Sequence, residues 1–199
     1  MNEPVHLLGV IGSPRAESTS AAFVHRVVSA ADGRGAETRL VDLRREPLPL
    51  FEPGTPRSAA TERVWEAVRW ADVLVLGTPD YHGGPSGALK NFLDHFWREF
   101  GGKLFGVVVA SNEKGLTVQD HLRTSIRQCY AWALPYGVGA TDSAVDGEGN
   151  VGEPRVAERL DMMARDLVTY GGLIAAQRRA DQALPHEPLL AGFMAQIRG

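Results

Sequence analysis

Two short stretches of this sequence carry residue types that could hold a ligand. The first is Gly12-Ser13-Pro14-Arg15-Ala16-Glu17-Ser18-Thr19-Ser20. It offers four hydroxyls and one guanidinium just before a helical pattern begins. A helix start presents unpaired N–H groups and the positive end of the helix dipole. Hydroxyls donate to phosphate oxygens, and a guanidinium makes forked, charge-assisted contacts. Ser13, Arg15, Ser18, Thr19 and Ser20 are therefore candidates to cradle a phosphate monoester. With one glycine and no lysine, the stretch matches neither standard glycine-rich phosphate signature. An ordinary Ser/Thr helix cap beside a surface arginine would use the same residues.

The second stretch is Thr78-Pro79-Asp80-Tyr81-His82-Gly83-Gly84-Pro85. Its prolines and glycines fix the backbone path, and a rigid turn presents peptide N–H and C=O groups. Tyr81 and His82 add flat surfaces. That combination suits an aromatic ring with a hydrogen-bonding edge, although a plain strand-to-helix turn would also read this way. A third stretch, Ser111-Asn112-Glu113-Lys114-Gly115, is polar and turn-forming and says little alone.

Each stretch follows a short apolar run. The runs are Val5–Ile11, Thr38–Val41, Val73–Leu76, Leu104–Ala110 and, more weakly, Val138–Val145. Nearly continuous β-branched and aliphatic runs mark strands covered on both faces, as in a parallel sheet. Helical periodicity fills the gaps. It runs through Phe23, Val27 and Ala30, then Val64 and Val68. Next come Leu89, Phe92, Leu93, Phe96 and Trp97, then Leu122, Ile126 and Cys129. The last pattern runs from Val156 to Tyr170. Pro85 is expected to open the third helix and Gly171-Gly172 to end the fifth. Alternating strands and helices predict a doubly wound α/β domain. Five parallel strands fit the flavodoxin-like order 2-1-3-4-5 with helices on both faces. In such sheets ligands sit beyond the carboxyl ends of the strands, beside strand one. The residues after Ile11, Leu76 and Ala110 should converge there.

The chain has 199 residues, 44% of them hydrophobic and 23% charged, with a net charge of −3. A single domain over 1–199 is expected. The mild acidity argues against nucleic acid, which calls for a basic stripe. No apolar run approaches the roughly 20 residues of a membrane span. The N-terminus has no basic start and no small-residue cleavage site, so no secretory leader is expected. The single cysteine, Cys129, suits a reducing cytosol and reads as a core residue. The six histidines form no metal-binding spacing.

GSPRAESTS, followed some sixty residues on by TPDYHGGPSGALKNFLD, resembles the NADPH-dependent FMN reductase family of flavodoxin-like proteins. The resemblance spans about residues 5–172. It implies FMN and NADPH (or NADH) as cofactors. It places Ser13, Arg15, Ser18, Thr19 and Ser20 at the FMN phosphate. Pro79, Asp80, Tyr81, His82 and Gly83 would lie along the isoalloxazine ring, and Ser111, Asn112 and Glu113 at its pyrimidine edge. Ser20 stands where many relatives have asparagine, Asp80 where glutamate is common, and Gly84 where serine is frequent. Asp146–Asn150 reads as an acidic hairpin tip and residues 173–199 as an extension without a counterpart.

The implied activity is hydride transfer from a nicotinamide to flavin N5, then to a flavin, a quinone or a similar small acceptor. The cofactor carries that chemistry, so no catalytic side chain is assigned. Two other readings stand beside it: a non-enzymatic flavodoxin-like electron carrier, and a flavin-free phosphate-binding domain. A cytoplasmic location and a homodimer or tetramer are expected. The assembly would pair partly through the aromatic stripe from Leu89 to Trp97.

Overall fold

The computed structural model describes residues 3–183; the C-terminal part of the extension, 184–199, lies outside the described residues. The elements in chain order are β1 (His6–Ile11), α1 (Thr19–Asp32), β2 (Glu37–Asp42), α2 (Ala59–Trp70), β3 (Val73–Pro79) and α3 (Gly87–His95). They continue with β4 (Leu104–Ala110), α4 (Leu116–Gln128), β5 (Trp132–Ala133), β6 (Val138–Ala140) and α5 (Pro154–Ala183).

The sheet is parallel throughout and runs β2-β1-β3-β4, with β5 and β6 both beside β4. This is the flavodoxin-like order, with its fifth position divided in two. Trp132–Ala133 pairs with Leu104–Phe105, and Val138–Ala140 pairs with Val108–Ala110. Between them Pro135 has no N–H to give a ladder. The weak run expected over Val138–Val145 is a strand only as far as Ala140. Asp142–Ala144 then forms a 3₁₀ turn.

Two apolar layers close the sheet. Phe23, Val24 and Val27 of α1 and Leu160, Met163 and Leu167 of α5 cover one face. Val64 and Val68 of α2, Leu89 and Phe92 of α3, and Leu122 and Ile126 of α4 cover the other. The core strands are buried on both faces, as their unbroken apolar runs require.

Three helix boundaries differ from expectation. Pro85 lies outside α3, whose cap is Ser86, the Oγ accepting from Leu89 N at 3.1 Å. At its other end α3 stops at His95, and the chain turns extended at Phe96. Phe96 and Phe100 thereby pack with Phe92 in one aromatic cluster. The stripe from Leu89 to Phe96 is buried within the chain's own core, and only Trp97 is half exposed. That takes Leu89 to Phe96 out of any pairing between copies and leaves Trp97 at the surface. Finally, α5 passes through Gly171-Gly172 and continues to Ala183. Gly171 is there for contact: a Cβ would lie 2.2 Å from Val73 Cγ1. Past it, Arg178 and Arg179 reach buried Asp72 at 2.7 and 3.1 Å, fastening residues 173–183 to the amino edge of the sheet.

Candidate functional site

The carboxyl ends of β1, β3 and β4 are knitted together before any ligand is considered. Gly12 N donates to Gly77 O at 2.8 Å, and Asp80 N donates to Ala110 O at 2.8 Å. Ser111 N donates to Ala140 O at 3.0 Å. Ser86 Oγ, besides capping α3, donates to Gly12 O at 2.5 Å. Gly77 lets the first turn of α1 sit close over the sheet. A Cβ there would lie 2.4 Å from Val24 Cγ2 and 2.9 Å from Ser20 O.

A cleft of about 610 Å³ opens above this edge. That is within the usual size of a small-molecule site. Ser13, Arg15, Ser18 and Thr19 line one part of it, with Pro79, Asp80, Tyr81, Ser111 and Asn112 along another. Beside it lies a second cleft, sharing Asp80, Tyr81, Ser111 and Asn112 and adding His82, Gly83, Glu113 and Lys114. Twelve of the thirteen candidate binding residues thus line one or both clefts. Ser20 does not. It is fully buried, its Oγ 3.1 Å from Ser18 Oγ, so it supports the cap from beneath.

Ser18 is the N-cap of α1, accepting from Ala21 N. The first-turn N–H groups of a helix have no carbonyl partner within it. With the Ser13 and Ser18 hydroxyls and the exposed Arg15, they form a donor-rich end of the cleft, while the Thr19 hydroxyl gives its proton to Asp142. Ser13 Oγ accepts from Arg15 N at 3.2 Å, which sets the course of the loop.

The other end is a tight hairpin. Tyr81 and Gly84 exchange both backbone hydrogen bonds, at 3.0 and 3.1 Å. The two residues between them, His82 and Gly83, have φ of 58° and 79°. Positive φ at both central positions defines a type I′ turn, for which Gly83 is suited and His82 is strained. Asp80 holds the turn in place. Its Oδ1 accepts from Gly83 N at 2.8 Å and its Oδ2 from Ser111 Oγ at 2.9 Å. Asp80 is thus a tie between two loops, and its carboxylate is occupied by protein donors.

Several lining residues were not expected at the site: His25 of α1, Asp142, and Val145 to Gly149. The Asp146–Asn150 tip is a turn, as expected, with Asp146 Oδ1 accepting from Glu148 N and Asn150 N. It also forms a wall of the cleft, brought over α1 by the short β6 and by a bond from Thr19 Oγ1 to Asp142 Oδ1 at 2.6 Å. The only signal for this was the acidic cluster following the last strand. Cys129 lies just past α4, half-buried against the core, where burial raises its thiol pKa.

The family described as NADPH-dependent FMN reductase has a model that matches residues 5–146. An FMN-dependent NADPH-azoreductase of Staphylococcus haemolyticus is 32% identical over 143 residues, covering 67% of this chain and 76% of that protein. Among solved structures, the apo form of the NADH:FMN oxidoreductase EMOB superposes with a TM-score of 0.68 at 19% identity, covering 92% of each chain. FerB from Paracoccus denitrificans, a flavoenzyme NAD(P)H:(acceptor) oxidoreductase, gives 0.70 at 19%, covering 84% of this chain and 97% of its own. At those identities the structural likenesses establish the fold.

Proposed function

The chain belongs to the NADPH-dependent FMN reductase family, and from that premise we propose that it moves two electrons from NADPH through FMN to a small aromatic acceptor. An azo compound, a quinone or a free flavin is the acceptor class. Family membership makes it an oxidoreductase dependent on FMN and NADPH. The reading as a non-enzymatic carrier gives way to that.

One observation carries the site assignment. A donor-rich helix start and a rigid ring-sized turn line one cleft, as a flavin mononucleotide with its phosphate and its flat ring requires. The donor set fits the group. Ser13, Ser18, Arg15 and the Thr19 backbone N–H would hold the phosphate, and Ser20 would keep Ser18 in place. The Pro79–Gly83 turn would support the ring, with Ser111, Asn112 and Glu113 toward its polar edge. When bound, the flavin supplies a hydride acceptor at N5 and a two-electron donor to the second substrate.

The chain's own contribution is position and shielding. Asp80 fixes the turn that meets the ring, and Ser86 fixes the spacing between the first and second loops. The second cleft, rimmed by Tyr81, His82 and Leu116, would admit the nicotinamide and then the acceptor.

A cytoplasmic homodimer or tetramer belongs to the same reading. No helix among the described residues is long and apolar enough to cross a membrane. Trp97, Tyr130 and Trp132 leave large apolar area exposed near the β5 edge, as a subunit contact would need. A monomer mass by light scattering at micromolar concentration would overturn the assembly. The test of the activity is NADPH consumption by the purified full chain with FMN and, in turn, an azo dye, a quinone and excess flavin. FMN-dependent turnover with at least one acceptor is expected. No turnover with any acceptor would overturn the proposal.

A further inference from the structure

We propose that Asp142 sets the affinity for the flavin phosphate by acting as an internal anion at the start of α1. The inference rests on the phosphate assignment above. Thr19 is the first residue of α1, and its hydroxyl donates to Asp142 Oδ1 at 2.6 Å. Hydrogen bonds to an ionised acceptor are short and strong. The carboxylate therefore sits where the helix dipole favours a negative charge, which is also where a phosphate would bind.

The placement is specific. β6 pairs with β4 and delivers the chain at Thr141 to the carboxyl edge of the sheet. The 3₁₀ turn Asp142–Ala144 then presents the carboxylate to a residue 123 positions earlier in the chain. The rest of the cleft does not offset it. Among the described residues Arg15 is the one lysine or arginine lining the first cleft, against Glu17, Asp80, Asp142, Asp146 and Glu148. Asp80 and Asp146 are satisfied by donors of their own loops. Asp142 is the carboxylate bonded directly to the helix start.

A phosphate dianion arriving there gains the helix start and Arg15 but is repelled by Asp142. A neutral ligand with the same ring is not. Asp142 thus discriminates against the phosphorylated flavin and keeps it exchangeable, opposing the residues that attract it.

The test is Asp142→Asn in the full chain. Asparagine keeps an oxygen that accepts from Thr19, removes the charge and puts an amide donor in place of the second oxygen, an addition that Asp142→Ala controls for. Equilibrium titration by flavin fluorescence is run with FMN and with riboflavin. For FMN the variant is expected to bind about tenfold more tightly, the size of a unit charge repelling a dianion across a few ångströms of solvated protein. Riboflavin affinity should stay unchanged. Asp142→Ala, which loses the tie as well as the charge, should also favour FMN over riboflavin more than wild type does. That variant decides the matter should Asp142→Asn fail to fold. FMN affinity unchanged or weakened, or an equal change for both flavins, would overturn the role of Asp142. Equal affinity of the Asp142→Asn variant for FMN and riboflavin would instead overturn the phosphate assignment itself, and the inference with it.

Discussion

Replacing Lys103 with methionine should stabilise the protein at neutral pH and destabilise it in strong base. Lys103 enters β4 at the amino edge of the sheet, opposite the clefts, and is 3% exposed. Its Nζ donates to Val68 O at 2.5 Å and to Arg69 O at 3.3 Å, carbonyls in the last turn of α2. Burial, reinforced by the nearby Arg178 guanidinium, lowers its pKa from 10.5 to about 7 against the pull of Asp72 and Glu99. The unfolded chain keeps that proton up to about pH 10.5, the folded chain only to about pH 7. Between those values the unfolded state binds more protons, so stability rises with pH. The penalty is complete below pH 7 and absent above 10.5. At 1.36 kcal/mol per pKa unit it amounts to about 4–5 kcal/mol. Methionine removes the penalty but leaves two buried carbonyls without this donor, at about 1–3 kcal/mol. The variant should therefore be about 1–3 kcal/mol more stable at pH 7 and less stable by about the same amount above pH 10.5, the two curves crossing near pH 9. Urea unfolding of both proteins across pH 6.5–10.5 reads this directly. A variant less stable at every pH, or a wild type with flat stability from pH 7 to 10, would refute the reasoning.

Three further outcomes follow from the geometry. Arg15→Ala should weaken FMN binding by about 1.5–3 kcal/mol, the range for charged hydrogen bonds, and leave riboflavin unchanged in fluorescence titration. His82→Ala should alter affinity or acceptor preference while single-turnover flavin reduction by NADPH stays within about tenfold. A loss of a thousandfold with FMN still bound would make His82 a proton donor. Gly171→Ala should cost about 1–3 kcal/mol in thermal or urea unfolding despite alanine's higher helix propensity. The new methyl would lie 2.2 Å from Val73 Cγ1 on a stiff core strand.

The sheet and the three site loops were legible because their signals are local. Unbroken aliphatic runs name doubly covered strands, and a cap serine followed by periodic apolar residues names a helix start. What escaped depended on contacts between residues far apart in sequence. The Thr19–Asp142 bond spans 123 positions, so the wall it holds over the cleft has no local mark. Ser20 looked like Ser18 in the sequence, yet helix geometry turns one to the cleft and the other under it. Gly171-Gly172 read as a stop because glycine is a poor helix former. Its lack of a side chain instead lets α5 close on Val73. The stripe from Leu89 to Trp97 read as a pairing surface, whereas Phe96 leaves the helix and packs back on Phe92 inside the core.

The most direct test of the central claim is anaerobic stopped-flow mixing of the full chain and FMN with NADPH, following the flavin absorbance. Bleaching that saturates with FMN, and that needs more FMN in Arg15→Ala to reach the same rate, is the predicted result. Bleaching that is absent, or that is indifferent to Arg15, would contradict the assignment of this cleft as the flavin site.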